Sequence, residues 1–228
     1  MISIQKLYKI YRRGTESVEA VRGIDLEIKK GEFVVILGPS GGGKSTLLNL
    51  IGGIDHPTSG TVTINGFALE KASEESLTCF RRDHIGFIFQ FYNLLSALNA
   101  VENVCLPLMA KGVAFKQAGI KAVQILTRLG LQNRLNHLPS ELSGGEQQRV
   151  AIARSIIARP ELILADEPTG DLDSSTAREI TVLMHELNKQ MGLTFVVATH
   201  NLRIAENADR VFELRDGKIQ FNSNDKTG

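Results

Sequence analysis

The chain has 228 residues, a formal net charge of +1, and 43% hydrophobic and 22% charged residues. These values are typical of a globular protein with one or two domains, and the charge gives no electrostatic reason to expect nucleic acid as a partner. No apolar run approaches the roughly 20 residues of a membrane-spanning helix, and the N-terminus lacks the pattern of a secretory signal. Cys79 and Cys105 have no neighbours at metal-ligand spacing, which is typical of free thiols in a reducing cytosol.

The N-terminal part of the chain predicts a small antiparallel sheet. Apolar and polar residues alternate over 2–7 and again over 21–28, which is the period of half-buried strands. Tyr11 lies between these runs, ahead of a glycine-rich loop. Its ring could stack on a nucleotide base, but the residues alone favour an ordinary half-buried strand position.

A glycine-rich stretch, GPSGGGKST, runs from Gly38 to Thr46 and fits the pattern G-x-x-x-x-G-K-[ST]. A short apolar strand precedes it at 33–37 and a helix follows, which is the context that a phosphate-binding loop needs. Glycines allow backbone N–H groups to converge on an anion, and the helix adds its own free N–H groups. Lys44 supplies a positive charge for the outer phosphates, and Ser45 supplies a hydroxyl for Mg²⁺. The predicted phosphate-binding residues are Gly38, Pro39, Ser40, Gly41, Gly42, Gly43, Lys44, Ser45 and Thr46.

Two further strands are predicted before the middle of the chain. Residues 61–66 alternate and end in Asn-Gly, which indicates a hairpin. Residues 85–90 predict a strand that ends at Gln90. An amide at the carboxyl end of a strand can reach a metal or a water in a nucleotide cleft. It can equally cap a turn, and the sequence leaves both interpretations open.

Helical periodicity replaces the strand patterns over about 91–160, which predicts a helical insert in an α/β domain. Val123, Leu126 and Leu129 form one predicted apolar face, and Gly130 is expected to end that helix.

The segment LSGGEQQR, which begins at Leu142, opens a later helix. Ser143 and Glu146 have the spacing of a capping box. Gly144 and Gly145 weaken the first helical turn, which suggests that its backbone approaches another group closely. A helix N-terminus with bare backbone is a good anion site, but an ordinary capped helix is equally consistent with these residues.

The run 162–167 predicts a fully buried strand that ends in two carboxylates. A strand of this kind belongs to a parallel sheet covered on both faces, and ligands bind at the carboxyl ends of such strands. With a phosphate loop upstream, Asp166 is interpreted as the acid on the Mg²⁺ side and Glu167 as the base for an attacking water. Asp173 is predicted to cap the helix that follows.

A second buried strand at 195–200 ends in His200. A lone histidine is usually structural, but the end of this strand would project His200 into the same cleft as Lys44 and Glu167. The chain closes with an Asp-Gly hairpin and a polar tail from Asn222 that is expected to fray.

The order and identity of these motifs resemble those of the ATP-binding cassette ATPases, and the likeness runs from Tyr11 to His200. LSGGEQQR matches the signature of that family. Finer features are similar to the subfamily of lipoprotein-releasing, macrolide-efflux and cell-division cassettes. They are RRDHIGFIFQFYNLL from Arg81, ENVCLPL from Glu102 and DEPTGDLD from Asp166.

The resemblance implies a particular α/β fold. It is the P-loop NTPase (RecA-like) fold, with a parallel core sheet, an N-terminal antiparallel β subdomain and an α-helical subdomain insert at about 91–160. The chain is then expected to form a single ATP-binding cassette domain over residues 1–228.

The resemblance also implies roles for residues that act within one chain. Tyr11 would stack on adenine, which reverses the interpretation from the residues alone. Ser45 and Gln90 would coordinate Mg²⁺, and Asp166 would act on the ion through water. The catalytic residues would be Lys44 on the phosphates, Glu167 on the attacking water and His200 on the γ-phosphate.

Other implied roles need a second copy of the chain. Ser143, Gly144 and Gly145 would bind the γ-phosphate of ATP held by the partner copy, and Asp173 would bridge the two copies. The expected assembly is a head-to-tail homodimer that closes on ATP, with integral membrane permease subunits as separate chains. The protein would then lie at the cytoplasmic face of the cell membrane, and no nucleic acid is expected as a partner.

Two functions suit such a cassette. The first is a transport motor that drives lipoprotein, macrolide or peptide export or extraction. The second is a regulatory motor of a cell-division type complex that signals without moving cargo, and this subunit barely separates the two. A cassette acting on ribosomes or DNA is disfavoured, because the sequence has one domain and no heptad run. A GTPase is disfavoured because Asn188-Lys189-Gln190-Met191 departs from the guanine-reading pattern Asn-Lys-x-Asp at its last position.

Overall fold

The computed structural model describes residues 1–14 and 16–222. Of the tail predicted to fray from Asn222, Asn222 itself ends a strand, and the rest lies outside the described residues. The strands are β1 (Ile2–Arg13), β2 (Glu16–Ile28), β3 (Phe33–Leu37), β4 (Ser59–Ile64), β5 (Phe67–Ala68), β6 (Ile85–Ile88), β7 (Leu162–Asp166), β8 (Thr194–Thr199), β9 (Arg210–Arg215) and β10 (Lys218–Asn222). The helices are α1 (Lys44–Ile51), α2 (Glu74–His84), α3 (Ala100–Ala110), α4 (Phe115–Arg128), α5 (Gly144–Ile156), α6 (Ser174–Met191) and α7 (Leu202–Ala205). Within these described ranges, no helix is long and apolar enough to cross a membrane.

The N-terminal strands form an antiparallel sheet in the order β2-β1-β4-β5. Its apolar positions, such as Ile4, Leu26 and Val62, are buried, as the alternating sequence predicts. Strands β4 and β5 are joined by Asn65 and Gly66, which have φ values of 50° and 83°. Positive φ at both positions is the requirement of a tight type I′ hairpin, so the predicted sheet and hairpin are confirmed.

The central sheet has the order β10-β9-β3-β8-β7-β6. Neighbouring strands from β9 to β6 run parallel, and only the edge strand β10 is antiparallel. Every residue of β8 is buried, as expected for a parallel strand that is covered on both faces. Because parallel strands end at one edge, the loops that follow β3, β7 and β8 come together, which places the predicted site at that edge. The α/β class is confirmed.

Helices α3, α4 and α5 occupy the stretch between β6 and β7. In α4 the buried residues are Ala118, Ala122 and Leu126, which recur every four positions. Val123, which the sequence analysis placed on this face, is exposed. The prediction was wrong because Val123 follows Ala122 directly, about 100° further round the helix. Gly130 follows the helix with φ of +81°, as the predicted stop requires.

Two other local features differ from the sequence analysis. The strand predicted over 85–90 ends at Ile88, because the chain turns at once and the Tyr92 N–H donates to the Phe89 carbonyl at 3.1 Å. Helix α2 was not predicted, since its apolar face is short: Leu77 and Phe80 are its buried residues.

Candidate nucleotide-binding site

The glycine-rich loop connects β3 to α1 and lies in close contact with the backbone of two other strands, β9 and β2. A Cβ on Gly38 would lie 2.1 Å from the carbonyl oxygen of Leu214 on β9. A Cβ on Gly43 would lie 2.3 Å from the carbonyl oxygen of Ala20 on β2, and Gly43 has φ of +98°. Only glycine fits these two positions, so the loop's path is fixed by neighbouring backbone as well as by its own sequence.

A cavity of about 520 Å³ opens above this loop, and we call it the Lys44 cavity. Some of the residues that line this cavity were predicted from the sequence as site residues: Ser40, Gly41, Gly43, Lys44, Ser45, Thr46, Gln90 and Glu167. The residues that it missed are Val18, Glu19, Ala20, Arg22, Asp216 and Gly217. Gly217 donates its N–H to the Gly42 carbonyl at 3.2 Å, so the C-terminal hairpin supports the loop. The Asp-Gly signal predicts that hairpin but not where it packs.

Lys44 is buried beneath the loop, with 6% of its surface exposed. Its Nζ donates to the carbonyl oxygens of Gly38 at 2.8 Å and Pro39 at 3.1 Å. The same nitrogen lies 3.3 Å from Oε1 of Glu167. Two hydrogen bonds and one ion pair therefore compensate the buried charge.

Glu167 directly follows β7 and has φ of 44°, a left-handed conformation that is unusual for a residue with a side chain. Its Oε2 accepts a hydrogen bond from the Thr199 hydroxyl at 2.9 Å, and its Oε1 lies 3.1 Å from Nδ1 of His200. Burial raises the pKa of Glu167, but the hydrogen bonds from His200 and Thr199 and the nearby charge of Lys44 outweigh it and hold the pKa below its ordinary value. The carboxylate is therefore ionised at neutral pH.

The sequence predicted that His200 shares a cleft with Lys44 and Glu167, and the structure places its Nδ1 in contact with Glu167. Thr199 was missed, although it is fully buried and precedes His200 directly. A threonine at the end of an apolar strand is ordinary in sequence, and only its contact with Glu167 marks it as part of the site. His200 and Thr199 line a neighbouring cavity of about 480 Å³ that also reaches Glu167.

Asp166 ends β7 beside the phosphate loop. Its Oδ1 is buried without a protein partner. Burial raises the pKa of Asp166, the nearby Ser45 hydroxyl opposes that shift, and the charge of Glu167 adds to it. The described residues contain no cluster of three His, Cys, Asp or Glu side chains that could hold a metal. Yet Asp166, Ser45 and Gln90 together offer the oxygen donors that Mg²⁺ prefers when phosphates complete its shell, so these residues fit that ion.

Tyr11 lies on β1 next to the last residue of the loop. Its hydroxyl donates to Oδ2 of Asp55 at 2.7 Å, and Nζ of Lys9 lies 4.9 Å from its ring centroid. Burial and the bond to Asp55 raise the pKa of Tyr11, while a hydrogen bond with Thr46 lowers it. Tyr11 is 42% exposed, and it is not one of the residues that line the Lys44 cavity. Asp55, which orients Tyr11, gave no signal in the sequence.

The N-terminus of α5 is a second, separate part of the predicted site. Ser143 and Glu146 form the predicted capping box. A Cβ on Gly145 would lie 2.5 Å from Cγ2 of Thr176, and a Cβ on Gly144 would lie 3.0 Å from the Tyr92 hydroxyl. The two glycines thus satisfy close contacts within the chain. This helix end is absent from the lining of the Lys44 cavity.

Asp173 caps α6, as predicted. Its Oδ1 accepts from the N–H groups of Ser175 at 3.0 Å and Thr176 at 3.1 Å. The hydrogen bonds from Ser175 and Thr176 hold the pKa of Asp173 far below its ordinary value. Asp173 is exposed, and it too lies apart from the residues that line the Lys44 cavity.

A glycine loop around a buried lysine, with carboxylates at the end of the adjacent parallel strands, defines a P-loop nucleotide hydrolase. A family model described as "ABC transporter" matches residues 21–170. The chain therefore belongs to the ABC transporter family, and it is the ATP-binding, ATP-hydrolysing subunit of such a transporter.

Individual relatives agree with this assignment. The chain is 48% identical over 219 residues to the lipoprotein-releasing system ATP-binding protein LolD of Legionella pneumophila (strain Lens), covering 96% of both chains. It is 45% identical to LolD of Pseudoalteromonas translucida (strain TAC 125), covering 96% of this chain and 94% of that protein. A solved structure, the dimeric post-hydrolysis state of the ATP-binding cassette MJ0796 bound to ADP and Pi, superposes with a TM-score of 0.91. That cassette is 43% identical, and 97% of each chain is covered. The predicted family and cassette fold are confirmed.

Proposed function

We propose that this ATPase subunit hydrolyses Mg²⁺-ATP at the Lys44 cavity and needs a second copy of the chain to complete the site. The observation that carries the proposal is the contact network of Glu167, whose carboxylate lies against Lys44, Thr199 and His200. Such a network keeps an ionised carboxylate beside the loop that would bind the phosphates of ATP.

We assign Glu167 to the attacking water. Because its pKa lies below the ordinary value, the carboxylate is ionised at neutral pH and can accept a hydrogen bond from water. Thr199 and His200 hold it in one orientation. His200 is 63% exposed, so its other ring nitrogen remains accessible to the γ-phosphate. Lys44 neutralises phosphate charge when a phosphate oxygen replaces one of its present acceptors.

Mg²⁺ would be held by Ser45 and Gln90, with Asp166 acting through water. The buried Oδ1 of Asp166, which has no protein partner, supports this assignment. When bound, the ion neutralises charge on the outer phosphates of ATP. The adenine base would stack on Tyr11, whose exposed ring lies next to Thr46 at the end of the loop.

The second copy would supply the opposite wall of the site. Ser143 is exposed, and the helix that it caps does not line the Lys44 cavity of its own chain. The related MJ0796 cassette is a dimer. In a two-fold head-to-tail pairing, Ser143, Gly144 and Gly145 of each copy would meet ATP held by the other, and Asp173 would lie between the copies.

The membrane partner is inferred from the relatives. LolD is named as the ATP-binding protein of a lipoprotein-releasing system. We infer that this chain drives a separate integral membrane permease of that type and lies through it at the cytoplasmic face of the cell membrane. No feature of the described residues favours the regulatory, cell-division type of motor over this one.

We also propose that residues 1–228 form one cassette domain with a helical subdomain at about 91–160. The three consecutive helices α3, α4 and α5 support this division. So does the lack of any strand over 89–161, a stretch that the structure describes completely.

The Glu167→Gln variant tests the catalytic proposal, because it keeps the size of the side chain and removes its charge. We expect ATP to bind while turnover falls about 100-fold or more. Size-exclusion chromatography with Mg²⁺-ATP should then detect an accumulated dimer. Glu186→Gln on the exposed face of α6 is the matched control and should behave as the wild type.

The two parts of the proposal fail separately. A Glu167→Gln protein that keeps its turnover would overturn the role of Glu167. A protein that binds ATP but elutes only as a monomer would overturn the shared site.

The permease is tested by affinity isolation from solubilised native membranes, followed by mass spectrometry and an ATPase assay with the partner added. We expect an integral membrane protein with a large extracytoplasmic domain that alters the ATPase rate. Isolation without any membrane protein would contradict the transport assignment. A partner that activates an extracytoplasmic enzyme without moving cargo would favour the regulatory alternative.

A further inference from the structure

The segment that carries Gln90 has a strained backbone. We call residues 89–95 the Gln90 loop; it leaves β6 and leads toward α3. Within it, Tyr92 has φ of 58° and Asn93 has φ of 48°. Two consecutive left-handed residues with side chains cost free energy, and such a conformation persists only where the surroundings hold it.

Arg154 on α5 keeps these two residues in the left-handed conformation. Its guanidinium donates from one nitrogen to the Tyr92 carbonyl at 2.6 Å and from another to the Asn93 carbonyl at 2.5 Å. These are the carbonyls of the two left-handed residues. In the described part of the chain no carboxylate pairs with Arg154, and burial lowers its pKa. A half-buried guanidinium without a carboxylate partner loses part of its hydration, and its two backbone contacts compensate that loss.

The Tyr92 side chain makes a second connection between the Gln90 loop and α5. Its hydroxyl lies against Gly144, where an added Cβ would come within 3.0 Å of it. Gly144 and Arg154 are ten residues apart, which is about 15 Å along the helix. The loop therefore contacts α5 near both ends of that helix.

Helix α5 is itself fixed to the strand from which the loop leaves. A Cβ on Gly86 of β6 would lie 2.3 Å from the carbonyl oxygen of Ser155, the residue after Arg154. This close contact allows little sliding between β6 and α5. At its other end, the loop is held by Asn103, whose Oδ1 accepts from the Leu95 N–H at 2.8 Å.

We propose that Arg154 is a positioning residue for Gln90: it holds the left-handed turn at Tyr92 and Asn93 and thereby keeps the Gln90 side chain in the Lys44 cavity. The inference rests on the proposed role of Gln90 at Mg²⁺. The same loop contacts Gly144 at the N-terminus of α5 through the Tyr92 hydroxyl.

The test is Arg154→Gln, studied in two ways. Hydrogen–deuterium exchange of the nucleotide-free protein follows the amides of Tyr92 and Asn93, which now donate to the Phe89 and Phe91 carbonyls. We expect their exchange to accelerate about tenfold when the charged hydrogen bonds are lost. The Mg²⁺ concentration for half-maximal ATPase activity should rise about tenfold. ATP affinity without Mg²⁺ should change less than about twofold, because the phosphate loop is untouched.

A rescue separates positioning from a general structural role. Glycine adopts positive φ freely, so adding Asn93→Gly to Arg154→Gln should return the Mg²⁺ requirement at least partly toward the wild-type value. A general defect in α5 would not respond to this change in the loop. Arg128→Gln, an exposed arginine that bonds the Gln190 side chain, is the matched control and should leave every measurement unchanged.

Each outcome decides the inference. Unchanged exchange at Tyr92 and Asn93 in folded Arg154→Gln overturns it. Faster exchange with an unchanged Mg²⁺ requirement overturns the role of Gln90 at the metal, and the inference with it. An elevated Mg²⁺ requirement that Asn93→Gly does not lower also overturns it. If Arg154→Gln does not fold, Arg154→Lys takes its place in the same measurements. Lysine keeps the positive charge but has a single nitrogen, so it loses the contact in which two nitrogens donate to two carbonyls.

Discussion

The surroundings of Lys44 and the N-terminus of α5 both belong to the proposed site, yet they are built in opposite ways. Lys44 is buried, and its charge is compensated within the chain by two carbonyl oxygens and the Glu167 carboxylate. Ser143 is exposed, and its hydroxyl caps the helix by accepting the Glu146 N–H. The charge of the first region is therefore compensated within one copy, whereas the second region is exposed to solvent.

The difference reflects what each region has to bind. A charge held in low dielectric is costly unless it is compensated, so the lysine side must be assembled before the ligand arrives. A helix N-terminus carries only partial charges and tolerates water until an anion replaces it. The second region can therefore remain exposed in a single copy without a large penalty.

The largest expected effect comes from two variants, one altered at Lys44 and the other at Ser143, which are measured separately and then mixed. Lys44→Ala should abolish phosphate binding. Ser143→Asp keeps a good helix cap but puts a carboxylate where the partner's γ-phosphate would bind. Each variant alone should lose turnover at least about 100-fold. An equal mixture should regain at most about a quarter of wild-type turnover, since half the dimers are mixed and each of these has one intact site of two.

The mixing experiment needs a binding control. ATP affinity measured on the monomer should be lost in Lys44→Ala and retained in Ser143→Asp. A mixture with no more turnover than its parts would contradict the division of the site between copies. Equal loss of monomer affinity in both variants would mean that Ser143 acts within its own chain.

Thr199→Val sharpens the comparison within the Lys44 region. The Thr199 hydroxyl bonds the ionised form of Glu167, so its removal should raise the pKa of Glu167. The acid limb of the kcat/KM profile should then move to higher pH, and turnover at pH 7 should fall about tenfold through lost orientation. A pH–rate series on both proteins is the measurement. An unmoved acid limb would mean that Glu167 does not set it.

The lowered pKa of Glu167 also makes the stability of the fold depend on pH. Because the pKa of Glu167 is lowered in the folded protein, its ionised form stabilises the fold above the ordinary pKa of a glutamate. That contribution disappears as the pH falls through the lowered value. Thr199→Val should reduce it, which thermal unfolding at pH 7 can detect.

The smallest effect is expected at Tyr11. Tyr11→Ala removes the ring and should weaken ATP binding about threefold to tenfold, which is the size of an aromatic stacking contribution. Tyr11→Phe keeps the ring, loses the bond to Asp55 and should bind nearly as the wild type does. If both variants weaken binding equally, the hydroxyl and Asp55 matter rather than stacking.

Much of the molecule could be predicted from short sequence signals. The glycine loop, the strand that ends in Asp166 and Glu167, and the capping box at Ser143 each combine a distinctive residue type with a fixed spacing. Local periodicity failed at Val123, because a helix face depends on what packs against it. It missed α2, because a short amphipathic helix with two buried residues resembles a polar loop.

The sequence by itself determined the class of chemistry, since the loop lysine, its hydroxyl and the strand-end carboxylates are recognisable from order alone. Only the tertiary structure decided which other side chains and backbone segments contact and position these residues. Thr199 against Glu167, the C-terminal hairpin against Gly42, and Arg154 against the Gln90 loop are contacts between residues far apart in the chain. Such contacts depend on how β-strands and helices pack, and packing leaves no fixed spacing in the sequence.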